Sequence, residues 1–169
     1  MGDVVKVTVL GSFGDLAVIE SAVEMLQGHG LEVLQPTKEH LDRARPHLRL
    51  RNTGEGWRFL EKLGRMEAEY LEAIDQSDFV FCANNKDGKE YVGQSTAFEL
   101  GWSVRAKKPI MFLQEPTQSI YRMLVHTGWA MVLDPESWLN SLEDMVARCI
   151  ARRLGSLREV WLYDQDGEA

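Results

Sequence analysis

Five short runs rich in β-branched and aromatic residues, each followed by residues at helical spacing or by a polar connection, constrain this chain more than any other feature. Val4 to Leu10 stops at Gly11-Ser12-Phe13-Gly14, and the apolar residues Leu16, Ile19, Val23 and Leu26 then recur at threes and fours. That is a strand, a glycine turn and a helix. The helix is expected to stop at Gly28-His29-Gly30, because glycine supplies the left-handed conformation at a helix end. Leu31 to Leu34 reads as a second strand, closed by Pro36. Trp57 to Ile74 has the apolar spacing of an amphipathic helix, and Asp78 to Ala83 follows as a strand suited to burial on both faces. Helices are predicted over 96–106, 119–126 and 135–153, and strands over 109–113 and 129–133. Such alternation predicts an α/β fold, a parallel five-stranded sheet with helices on both faces joined by right-handed crossovers.

A length of 169 residues fits one domain, assigned to 1–155 with a tail at 156–169. Within the tail, Val160-Trp161-Leu162-Tyr163 is apolar for a terminus and is expected to dock, across a subunit boundary or beside the site. Residues 36–57 carry prolines, glycines and many charges without clean periodicity, and read as a mobile loop. Its cluster Arg43, Arg45, His47, Arg49, Arg51 is the one basic patch, either a solvated run or part of a binding loop.

Nineteen Lys and Arg against 26 Asp and Glu leave a net charge of −7, which disfavours nucleic acid polymers and anionic membranes as partners. No apolar run approaches the roughly 20 residues that span a bilayer. The start of the chain is too polar for a signal peptide, so a cytoplasmic location is expected. Cys82, Cys149 and the four histidines lack metal-type spacing, and neither a metal nor another cofactor is expected.

In a parallel sheet ligands bind outside the carboxyl ends of the strands, where the strand order reverses. Gly11, Ser12 and Phe13 fall on the first such turn, which serves either as an anion-binding loop or as a bend alone. Glu99 falls in the first turn of the helix predicted to begin at Thr96. There it could serve as a carboxylate nucleophile, but the spacing alone favours a capping box with Thr96, in which it only satisfies a backbone N–H.

The stretch Gly93 to Pro109, with Gly-x-Ser-x-x-x-Glu-Leu-Gly-Trp and then Lys107-Lys108-Pro109-Ile110, resembles the nucleoside 2-deoxyribosyltransferase family and its deoxynucleoside 5′-monophosphate N-hydrolase relatives. The opening strand with Gly11-Ser12-Phe13 and the pattern Ala73 to Val80 are also similar. The resemblance implies a single-domain Rossmann-like (flavodoxin-like) fold that breaks the N-glycosidic bond of a nucleoside or nucleotide, a small-molecule substrate. It implies Glu99 as the nucleophile at the anomeric carbon, Gly11, Ser12, Phe13 and Gly93 along the substrate, and Ser95 near the 5′ group. It also implies a homodimer or higher homo-oligomer with sites near subunit boundaries. One position departs: where the family usually has an aspartate this chain has Tyr70, with Glu69 beside it. Either Glu69 takes the role after a one-residue shift, or Tyr70 is simply a core residue of its amphipathic helix and the role is lost. An N-glycoside hydrolase or transferase and a non-catalytic nucleotide-binding module both follow from this pattern.

Overall fold

The computed structural model describes residues 4–43 and 56–153, with the side chains of 57–60, 62, 63, 152 and 153 left aside. In chain order the elements are β1 (Lys6–Gly11), α1 (Leu16–Gly28), β2 (Glu32–Gln35), α2 (Gly56–Gln76) and β3 (Phe79–Ala83). A two-stranded hairpin of β4 (Asn85–Lys86) and β5 (Lys89–Glu90) precedes α3 (Gln94–Arg105). The chain then forms β6 (Ile110–Phe112), α4 (Ser119–His126), β7 (Ala130–Val132) and α5 (Trp138–Arg153).

Five parallel strands make the main sheet in the order β2-β1-β3-β6-β7. Counting only those strands, the order is 2-1-3-4-5, the doubly wound flavodoxin-like arrangement, which reverses direction between β1 and β3. β3 sits in the middle and is buried along its whole length, which is why its sequence is an apolar run without alternation. One apolar layer joins Val7, Val9, Phe79 and Phe81 to Ile19 and Leu26 of α1 and to Leu142 and Met145 of α5. The opposite layer joins Leu10, Val80, Cys82 and Phe112 to Tyr70 and Ile74 of α2, Leu100 of α3 and Tyr121 of α4.

The expected stop of α1 takes a specific form. Leu31 N–H donates to the Leu26 carbonyl (3.2 Å) and Gly30 N–H to that of Gln27 (3.0 Å), with Gly30 at φ +78°. This is the paired bond of a Schellman motif, and its two flanking leucines, Leu26 and Leu31, both lie in the core.

Three expectations are corrected. Residues 38–43 are helical rather than irregular, because Thr37 caps them: its Oγ1 accepts from His40 N–H at 3.1 Å. Buried His40 and Leu41 then fasten that turn to the body. The polar stretch 84–93 is a hairpin rather than a plain loop, since Asp87 and Gly88 both take positive φ (53° and 74°), the geometry of a type I′ turn. Finally, α3 begins at Gln94 with Gly93 as its N-cap residue, and α5 begins at Trp138. Arg45, His47, Arg49, Arg51, Trp161 and Tyr163 lie outside the described residues.

Candidate functional site

The carboxyl ends of β1 and β3 run side by side, Gly11 paired with Ala83 at the last register position. From β1 the chain turns through Ser12, Phe13 and Gly14 into α1, and from β3 it passes through Asn84 into the hairpin and α3. Asn84 is fully buried and fixes this edge by exchanging bonds with Gln114 beyond β6: Nδ2 donates to the Gln114 carbonyl (2.9 Å) and Oδ1 accepts from Gln114 N–H (3.1 Å). Gly11 has a packing reason to be glycine. A Cβ there would stand 2.9 Å from Ile19 Cγ1 and 3.3 Å from the Ala83 carbonyl oxygen, so α1 could not lie as close to the sheet.

The earlier start of α3 moves Glu99 from the first helical turn into the second. The capping box is therefore absent: Gly93 is the N-cap residue, no side chain caps the helix, and Thr96 is buried inside it. Glu99 is only 5% exposed, which for a carboxylate demands a reason. Burial pushes its carboxyl well above the usual range, and the charge of Glu67 on α2 adds to the shift. Glu67 is itself raised by burial, and its Oε1 is a buried oxygen without a hydrogen-bond partner among the described residues. The fields of Glu99 and Glu67 both act on Tyr70, and Glu99 acts on Cys82 of β3. Thus two helices bring two desolvated carboxyl groups to the rim of the sheet.

Glu67 is the residue that sequence reasoning missed. It precedes Tyr70 by three, which puts both on one helix face, whereas Glu69 is turned away by two positions. Glu69 pairs with Arg43, whose Nη2 is 2.9 Å from Oε2 and Nη1 3.5 Å from Oε1. The same Oε2 stands 3.2 Å from Nδ1 of fully buried His40. Desolvation lowers the His40 pKa and outweighs the opposing effect of Glu69.

Tyr70 is buried among rings, 6.1 Å from Phe13 and 5.0 Å from His40 between centroids. Burial and the two glutamates hold its hydroxyl neutral. Phe13 is half-buried and packs against both core layers, so this ring links the first turn to the Tyr70 end of the carboxylate cluster. Gly93 caps α3 and Ser95 is exposed in its first turn. Among the described residues no group of three or more His, Cys, Asp or Glu could hold a metal ion, and no helix is long and apolar enough to cross a membrane.

A cavity of about 460 Å³ runs along α1, lined by Asp15, Val18, Ser21, Met25, Asn85 and Leu113 among others. It borders the first turn, yet none of Glu67, Tyr70 and Glu99 lines it. The two desolvated carboxyl groups are the better guide to chemistry, because perturbed acids mark function where an apolar groove alone does not.

No protein-family model and no curated protein matches the chain. Among solved structures it is similar to the CMP N-glycosidase BcmB of Clostridium botulinum, with 17% identity, a TM-score of 0.49, and coverage of 82% of this chain and 98% of that one.

Proposed function

We propose that this chain cleaves or transfers at the N-glycosidic bond of a nucleoside or nucleoside 5′-monophosphate, with Glu99 as nucleophile and Glu67 as its acid–base partner. The observation that carries this reading is the electrostatic coupling of two desolvated carboxyl groups at the strand reversal between β1 and β3. Two coupled acids lose their protons in separate steps, and between the steps the pair holds one carboxylate and one carboxylic acid. The larger upward shift leaves the proton of that state on Glu99, so attack by Glu99 requires it to pass first to Glu67, which then gives the carboxylate and carboxylic acid that glycoside cleavage uses.

In the first step the Glu99 carboxylate attacks the anomeric carbon as the bond to the base nitrogen breaks, and the electron pair of that bond leaves with the base. The proton on Glu67 neutralises the departing base. The resulting glycosyl ester on Glu99 is then opened by water, or by a second base, whose proton returns to Glu67. Two displacements retain the configuration of the sugar. Gly11, Ser12 and Phe13 form the wall on the β1 side, and Gly93 and Ser95 the wall at the start of α3. In this reading Glu69 positions Arg43 and His40 and performs no chemistry.

Incubation with a panel of nucleosides and monophosphates, followed by chromatography for free base, tests the proposal. Base release that falls by about 10³-fold or more in Glu99→Ala supports it, this being the usual scale for loss of a nucleophile. A second reading, a nucleotide-binding or sensor module, is favoured by Tyr70, whose core-packed neutral ring cannot replace the aspartate that the family resemblance implies. Tight binding of nucleotides without base release would select it.

A further inference from the structure

Resting on the substrate class proposed above, we infer that Tyr91 is the platform on which the nucleobase stacks, so that the site recognises its substrate by the aromatic face of the leaving group. Tyr91 follows β5 on the way to α3 and is 42% exposed. A lone exposed aromatic residue needs no explanation. This one is held on several sides at the rim of the sheet. Its N–H donates to the Asn84 carbonyl at 3.1 Å, directly beyond the end of β3. One edge of its ring rests against Gly93, where a built Cβ would lie 3.4 Å from Cε1 and 3.7 Å from the hydroxyl oxygen. Lys86 Nζ lies over the ring, 5.1 Å from its centre. The same Nζ would stand 3.3 Å from a Cβ built on Gly14, so the ring and its cation together span the gap between the turn after β1 and the start of α3.

The hairpin that carries the ring is fixed at both ends. At its tip Asp87 N–H donates to Asp15 Oδ2 at 3.1 Å, and at its base Thr117 Oγ1 donates to Glu90 Oε2 at 2.6 Å. A ring braced in this way offers contact area at little cost in conformational freedom. Phe13, the other aromatic ring beside this rim, already packs on His40 and Tyr70, whereas Tyr91 keeps much of its ring open to solvent. The position also fits the proposed displacement. The attacking oxygen and the departing base lie on opposite sides of the anomeric carbon, so the base must be held away from Glu99 with the sugar between them. Glu99 follows Gly93 by six residues, about 9 Å along the helix axis. Helical side chains lean toward the N-terminus, which brings the carboxyl back toward Gly93 and the Tyr91 ring beside it.

The test is direct binding measured by calorimetry on Glu99→Gln, which stops turnover. The probes are the common ribo- and deoxyribonucleosides, their 5′-monophosphates, and ribose and deoxyribose 5-phosphates as ligands without a base. Adding Tyr91→Leu is expected to weaken the best nucleoside or monophosphate by about tenfold or more, the scale of one base stacked on an aromatic side chain. Tyr91→Phe, which keeps the aromatic face and loses only the hydroxyl, should recover most of that loss. Affinity for the base-free sugar phosphates should not follow the ring, whereas a merely structural role would move all ligands together. A loss below about threefold in Tyr91→Leu, a loss that Tyr91→Phe does not recover, an equal loss for the base-free ligands, or no nucleoside or monophosphate binding at millimolar concentration overturns the inference. The two readings fail separately. Base release whose KM is unmoved by Tyr91→Leu keeps the glycosidase and removes the stacking ring, and Tyr91-dependent binding without base release does the reverse.

Discussion

Glu67 on α2 opposes the ionisation of Glu99 on α3, and the more deeply buried of the two, Glu99, carries the larger perturbation, first through lost hydration and then through Glu67. A single buried acid can be an accident of packing. Two on separate helices, one of them with an unsatisfied buried oxygen, are a standing cost to the fold.

That cost has a sign. The folded-state pKa of Glu99 lies above its ordinary value of 4.5, so the native chain binds this proton more tightly than the unfolded chain. The associated stability is complete below about pH 4.5 and is lost as pH rises through the elevated folded value. Glu99→Gln should therefore melt at a higher temperature than wild type at pH 8, with the difference shrinking to near zero at pH 4. A variant that melts lower than wild type at pH 8 would remove the idea that Glu99 is strained.

Removing the like charge at Glu67 should relieve Glu99. In Glu67→Gln the acidic limb of the pH–rate profile for base release is expected to move to lower pH, because the nucleophile then ionises more easily. The maximal rate should fall by about 10²- to 10⁴-fold, since the leaving base loses its proton donor. An unmoved acidic limb would disconnect the two groups, whatever happened to the rate.

Much of the fold was legible because burial writes itself into periodicity: β3 is an apolar run because it is central, and Leu16, Ile19, Val23 and Leu26 repeat because α1 covers the sheet. The hairpin was missed because its strands are two residues each and entirely polar, too short for alternation to show. Asp87-Gly88 was nevertheless a readable type I′ signal, and Thr37 just after Pro36 a readable N-cap. Glu67 could not be singled out in the same way. On a helix carrying Glu61, Glu67, Glu69 and Glu72, one more acid reads as a solvated face, and only the packing of α3 against α2 brings this one beside Glu99.

Gly11 is expected to be intolerant for a packing reason independent of any ligand. Gly11→Ala forces its Cβ against Ile19 and the fixed Ala83 carbonyl, and overpacking of this kind costs about 1–3 kcal/mol. Urea titration should show a lower midpoint with an unchanged slope. Wild-type stability in this variant would mean that α1 can shift away from the sheet freely.

A homo-oligomer remains the expectation for the assembled protein. Phe98 on α3 and Ile120 and Met123 on α4 are each more than half exposed, at 54%, 53% and 51%, whereas Trp102 is engaged by Asp75 and Arg105. Light scattering should give a dimer or larger species at micromolar concentration, and Phe98→Lys with Met123→Lys should shift it toward the monomer. A monomeric wild type at that concentration counts directly against the expectation.

Tyr70 separates a catalytic hydroxyl from a packed ring. Its ring contacts with Phe13 and His40 hold the first turn against α2, and its hydroxyl stays neutral across the working pH range because burial and both glutamates oppose its ionisation. Tyr70→Phe keeps the ring and removes only that hydroxyl, so base release should stay within about threefold of wild type and stability within about 1 kcal/mol. Tyr70→Ala removes the ring and should cost about 3–5 kcal/mol, the range for deleting a buried aromatic side chain. It should also slow base release, because Phe13 then loses its support beside the carboxylates. Should Tyr70→Phe instead lower the rate by 100-fold or more at unchanged stability, the hydroxyl takes part in the reaction and the core assignment of Tyr70 is wrong.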